Sequence, residues 1–308
     1  MSRNRFHLHS NPLDRRLGER DPRKIFWVSA EGAVTEKDYL LGISDYRREL
    51  GIVSIVNVEA LSRKRSESGS KPKDVIALLD EFFFVRDHDF KTIIQKHNPS
   101  IFEIIPHSTI SAYQEGALSE TEIKKLEERF QLLEINLTYL NYLKKRSSDE
   151  DEFCIILDRD KHSNSEKSIQ ECIEWCNEKR VHLFFSNPCF EFWLLLHFKD
   201  IAKEFSQEDL NQFLENRTES KKHSFTSKTL SKVFKELTGS GHSKRISTIK
   251  FKEQYCGRVD TAIQHAASFA QSFPDLMHNL GTSMPKLIEL LRQEKEWPLP
   301  LDTTEHQA

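Results

Sequence analysis

Four short apolar runs constrain this chain more than any other feature: "IFWVSA" (25–30), "IVSIVNVE" (52–59), "EFCIILDRD" (152–160) and "VHLFF" (181–185). Each has strand length and stops at polar residues, and the second is strongly β-branched. A helical pattern follows each of them: "TEKDYLLGISDYRREL" (35–50), "KDVIALLDEFFFV" (73–85), "SEKSIQECIEWCNEKR" (165–180) and "SNPCFEFWLLLHF" (186–198). Strands alternating with helices build a mostly parallel sheet flanked by helices, so the expected fold class is α/β. Gly51 stands where the C-cap of the first helix belongs. Asn187 and Pro188 read as the cap and first turn of the fourth.

The alternation breaks at 90–147. "SETEIKKLEERFQLLEINLTYLNYLKKR" (119–146) keeps a helical period and starts like a capping box, so the region reads as a helical insertion outside the core. It is expected to serve a partner or a second copy of the chain. The expected organisation is a mobile N-terminal segment at 1–23, a first α/β half at 24–89, the insertion at 90–147, a second half with a helical C-terminal region at 148–297, and a tail at 298–308.

Composition excludes some classes. No apolar run approaches the roughly 18 residues of a membrane span. The first residues are basic without the apolar core of a signal peptide. The five cysteines form no C-x-x-C pair, which suits reduced thiols and a cytoplasmic location. Cys172 and Cys176 lie one turn apart on a helix and read as core packing. The formal net charge of −3 does not advertise nucleic-acid binding. Charge is uneven, however: 62–73, 221–228 and 243–252 are basic. Such tracts are ordinarily solvated loops and less often a nucleic-acid patch. No G-x-x-x-x-G-K-[ST] loop, G-x-S-x-G elbow or H-E-x-x-H motif occurs.

The chemistry-bearing residues gather at predicted strand ends. Glu31 closes the first strand, and Asp158 and Asp160 close the third. In an open α/β sheet that edge is where ligands bind. Asp-x-Asp on an extended chain projects both carboxylates to one side. Hard oxygen ligands completed by water suit Mg²⁺ or Mn²⁺. The ordinary alternative is a turn for "DRD" and a favoured helix N-terminus for Glu36 and Asp38. Gly32 is expected to let the chain turn beside Glu31, and Thr35 to cap the next helix. Glu191 lies between Phe190 and Phe192 on an apolar helix, where a carboxylate needs a metal, a basic partner or open water. His197, on the same helix, reads as a hydrogen-bonded core residue.

"EGAVTEKDYL", "IILDRDKH" and "SNPCFEFWLLLHF", in that order, resemble the RloB-like family, continuing at "YCGRVDTAIQHA" (255–266) and "NLGTSMPKLIELL" (279–291). The third of these segments is the most specific. The resemblance implies a Toprim-like fold, as in topoisomerases, primases and OLD-type nucleases. It implies Glu31 as acid or base touching the metal, with Asp158 and Asp160 holding Mg²⁺ or Mn²⁺. Glu191 is then an additional metal residue or one acting behind the ligands, and Arg159, Lys161 and His162 are candidates to neutralise phosphate. The implied activity is phosphodiester cleavage of RNA, tRNA in particular, or DNA in prokaryotic antiviral defence. The implied partners are nucleic acid and an RloA-like ATPase, and the helical insertion leaves a homo-oligomer open. The alternative is a non-catalytic binding module in which the carboxylates hold a structural cation. Two features depart from the family pattern. The helical insertion lengthens the Glu31–Asp158 spacing, and "YCGRVD" lacks the expected lysine, for which Arg258 or Lys252 would substitute.

Overall fold

The computed structural model describes residues 24–32, 34–52, 56–61, 71–132, 135–146, 148–220, 223–239 and 241–293. The N-terminal segment at 1–23, the tail at 298–308 and most of the basic tract at 62–73 lie outside them.

Four apolar runs do become parallel neighbours. β1 (Lys24–Ala30) buries all but its first residue. It pairs in parallel with β2 (Val56–Ala60) on one side and β3 (Glu152–Asp158) on the other. β3 pairs in parallel with β4 (His182–Asn187). A short β7 (Gly281–Thr282) adds antiparallel to β4, giving the order β2-β1-β3-β4-β7. The mixed α/β architecture, a mostly parallel sheet flanked by helices, is consistent with a Toprim-like fold. A separate two-stranded ribbon joins β5 (Thr218–Ser220) and β6 (His223–Ser224).

The chain divides into two compact units, and the division falls between residues 76 and 77, inside α2 (Pro72–Asp87). Among the described residues, 24–61, 71–76 and 150–293 form the sheet unit. Its helices are α1 (Thr35–Asp45), α8 (Glu166–Lys179), α9 (Phe190–Leu196), α10 (Ile201–Glu204), α11 (Gln207–Glu215), α12 (Phe225–Thr238), α13 (Thr248–Lys250), α14 (Val259–Ala266), α15 (Phe273–Leu276) and α16 (Met284–Arg292). The described residues of 77–149 form the other unit, from the remainder of α2, α3 (Phe90–His97), α4 (Ile101–Ile104), α5 (His107–Gln114), α6 (Glu120–Leu132) and α7 (Leu137–Arg146), with no strand. Ile93, Ile94, Ile101, Ile110 and Phe130 are fully buried there. The helical period at 119–146 is carried by two helices, α6 and α7, and Asn136 caps the second by accepting from the Tyr139 N–H at 2.9 Å. Among the described residues no helix is long and apolar enough to cross a membrane.

The core of the sheet unit joins α1, α9, α12, α14 and α16 to the strands. Phe190 and Trp193 of α9, His197 at its C-cap and Tyr39 of α1 are fully or almost fully buried. Tyr39 Oη and His197 Nε2 lie 3.0 Å apart, and His197 Nδ1 meets the Trp193 carbonyl oxygen at 3.0 Å. Burial drives the imidazole down to about 3, so this histidine is neutral and structural. Cys172 and Cys176 are buried free thiols on α8.

Three local expectations change. α1 ends at Asp45, and turns carry the chain to Gly51, whose φ of +75° serves the turn into Ile52 rather than a helix cap. Ser186 and Asn187 pair with β7, which carries β4 past its expected end at 185. Asn187 therefore caps no helix: its Nδ2 donates to the Leu276 carbonyl at 2.8 Å, and Cys189 takes the N-cap of α9.

A candidate carboxylate centre at the sheet edge

Strand register places the first chemistry. Ala30 is opposite Ile156, and Asp158 is opposite Ser186, so β1, β3 and β4 finish on one edge. Glu31 follows β1 directly, and its N–H donates to the Ile156 carbonyl at 3.0 Å, prolonging the ladder. Its Oε2 accepts from the Asp158 N–H at 3.1 Å and from Asn164 Nδ2 at 3.4 Å. Glu31 and Asp158 are thus joined through backbone as well as charge.

Burial pushes the Glu31 carboxyl up to about 7; the two hydrogen bonds oppose the rise, and the charges of Glu36 and Asp160 add to it. Burial likewise drives Asp158 well above the usual carboxylate range, reinforced by Glu31, Glu36, Glu191 and Asp160. The three predicted strand-end carboxylates and Glu191 therefore share one electrostatic neighbourhood, around Asp158.

Asp160 belongs to it differently from expectation. The strand stops at Asp158, and Asp160 has φ +22° in a turn. Its N–H donates to the Pro188 carbonyl at 3.0 Å, and its own carbonyl accepts from Ser163 and Asn164. The two aspartates therefore do not owe their proximity to strand alternation. Arg159 builds the turn and is not available to phosphate: it is 5% exposed. Its guanidinium donates to the carbonyls of Met277 and Asn164 and pairs with Glu166. Lys161 and His162 are exposed and lean on Glu215, at 3.9 Å to its carboxylate and 3.2 Å to its carbonyl.

Sequence patterns do not single out two further residues of the centre. Glu36, 6% exposed, reads in sequence only as a helix-start residue. A Cβ on Gly32 would fall 1.8 Å from Glu36 Oε2, so glycine here makes room for that carboxylate. Asn164, 2% exposed, bridges Glu31 Oε2 and the Asp158 carbonyl through one NH₂ group. Its Oδ1 is buried without a hydrogen-bond partner. A first-turn glutamate and a loop asparagine carry no special sequence signal, since both are common in those positions. Thr35 does not cap α1; it is the first helical residue, and its hydroxyl donates to the Lys244 carbonyl at 3.1 Å. The contacts of Arg258 and Lys252 run to the Gln254 carbonyl and to the rings of Phe198 and Tyr46.

Among the described residues no three histidine, cysteine, aspartate or glutamate side chains form a ready-made coordination shell. The donor chemistry still fits a hard divalent cation. Mg²⁺ commonly takes only one or two carboxylates and keeps several waters. Here the half-buried carboxylates of Glu31 and Asp158, both with raised proton affinity, lie in one electrostatic neighbourhood beside an amide oxygen that lacks a partner.

No curated protein and no solved structure matches the chain. The family model described as RloB-like protein matches residues 26–291, which span the sheet, the carboxylate centre and the C-terminal helices. A match over that much of the sequence makes the chain a member of the RloB-like family.

Proposed function

We propose that the chain is a Mg²⁺- or Mn²⁺-dependent nuclease that cleaves phosphodiester bonds at the edge formed by β1, β3 and β4. The observation that carries this reading is the part-buried contact between Glu31 and the Asp158 N–H, where burial and neighbouring carboxylates raise the proton affinity of both side chains. Asp158 and Asp160 would hold the cation, which when bound supplies Lewis acidity toward the phosphoryl group. Glu31, held near neutrality, is poised to exchange a proton at physiological pH, because a general acid or base works best when its pKa lies near the working pH. Asn164 keeps Glu31 oriented through Oε2. Glu36 and Glu191 deepen the negative potential at Asp158.

Family membership supports a role as the cleaving component of a prokaryotic antiviral system that works with an RloA-like ATPase, on RNA (tRNA in particular) or DNA. The test is incubation of the purified chain with labelled RNA and DNA, with and without Mg²⁺ or Mn²⁺ and the ATPase. Cleavage should require the cation, and Glu31→Gln should lower it by about 10²–10⁴-fold, the usual contribution of a general acid or base, with folding intact. Binding without cleavage under every condition would favour the non-catalytic module.

A further inference from the structure

An acidic centre repels a polyanion, so a nuclease reading needs cations beside it whose heads stay largely exposed to solvent. Arg159 is buried in its own turn, and the Lys161 side chain is only 31% exposed where it leans on Glu215. Lys37 is half-buried and interacts with Asp38 and Glu59. The basic tract at 243–252 is different. It lies more than 200 residues beyond α1 in sequence and is fastened to the first turn of that helix. Thr35 Oγ1 donates to the Lys244 carbonyl at 3.1 Å, and the Ile246 N–H donates to Asp38 Oδ2 at 3.1 Å. The Ile246 side chain is 2% exposed. Ser247 then caps α13 by accepting from the Lys250 N–H. Phe251, fully buried, fills the space over Gly42. The backbone is thus fixed while the cationic heads face solvent: Lys244 is exposed, and the Arg245 side chain is 67% exposed, 4.0 Å from Asp38 Oδ1. The anchoring turn also carries Glu36, which acts on both Glu31 and Asp158.

We propose that Lys244 and Arg245 form a phosphate-anchoring rim that holds the backbone of a nucleic-acid strand beside the carboxylate centre. The proposal rests on the nuclease reading and adds the binding residues it lacks. Because these side chains engage phosphate, they carry no base preference, and their grip should depend on salt.

The test measures binding alone. The Glu31→Gln chain of 308 residues in EDTA is titrated into fluorescein-labelled single-stranded RNA and DNA of one sequence, from about 50 to about 200 mM salt, a range over which phosphate binding weakens strongly. Adding Lys244→Ala and Arg245→Ala should weaken binding and reduce the slope of log K against log salt by about 1.4, because each phosphate neutralised on a single strand contributes about 0.7. The Lys203→Ala control, an exposed lysine on α10, should leave the slope unchanged. Lys244→Gln with Arg245→Gln, which keeps most of the side-chain length, repeats the measurement should the alanine protein melt early. An unchanged slope in both double variants, or an equal fall with Lys203→Ala, overturns the rim. If the parent protein binds neither RNA nor DNA, the nuclease reading falls and the rim falls with it. The tighter of the two parent isotherms identifies the strand chemistry.

Discussion

At Glu31, burial and neighbouring carboxylates outweigh the two hydrogen bonds that favour its charge. That balance has a consequence for stability. The folded-state pKa, about 7, lies above the ordinary 4.5, so the folded chain holds this proton more tightly than the unfolded chain does. Its contribution to stability is fully present below 4.5 and is lost as pH rises through 7. The gap corresponds to at most about 3 kcal/mol. Without divalent cation, Glu31→Gln should therefore lose less stability than the wild type between pH 5 and pH 8. Urea unfolding at both pH values checks this; equal losses would show that Glu31 ionises without penalty. This residue is legible in sequence because it ends an apolar run at the ligand edge of an α/β sheet. Asp158 is legible for the same reason. The placement of Asp160 is not, because it depends on a left-handed turn stitched to Pro188, a contact between distant parts of the chain. Glu36 and Asn164 stay hidden for a related reason: burial makes them special, and burial is a tertiary property.

The element that organises the centre is α1, clamped between α9 and the segment that follows α13. On the α9 side the clamp is Tyr39 against His197, and the imidazole's ordinary 6.5 falls to about 3 through burial. A histidine with a depressed pKa gives stability that is present above 6.5 and lost as pH falls toward 3. Between pH 6.5 and 4.5 this amounts to at most about 3 kcal/mol. His197→Gln should remove most of that acid sensitivity, which thermal melts across the range would report; an unchanged acid slope would place it elsewhere. On the other side, a Cβ at Gly42 would meet Phe251 Cγ at 2.2 Å. Gly42→Ala should cost about 1–3 kcal/mol by overpacking. A neutral effect in chemical denaturation would mean that Phe251 moves aside freely. The sequence shows α1 and α9 as apolar, but not that Phe251 is their third neighbour. Helix ends are less legible than helix existence. The cap expected at Asn187 gives way to pairing with β7, a two-residue strand with no periodic signal of its own.

For the whole molecule, the alternation of apolar runs with helical periods is enough to specify a mostly parallel sheet, because only the parallel arrangement lets each helix cross back over it. The interruption after α2 is also visible, as a helical period with no strand pattern. The compact units, however, divide within α2, between residues 76 and 77, where one continuous helix gives no sequence punctuation. The central proposal is that the sheet edge is a cation site in which Asp158 and Asp160 hold the ion beside Glu31. Calorimetric titration of Mn²⁺ into the purified chain, repeated in buffers of different ionisation enthalpy, tests it most directly. Because Glu31 and Asp158 hold protons more tightly than usual, cation binding near pH 6 should release protons, fewer of them near pH 8. Asp158→Asn should reduce the affinity sharply with the circular dichroism spectrum unchanged. Binding of equal strength in Asp158→Asn, or binding with no proton release at pH 6, would contradict the account.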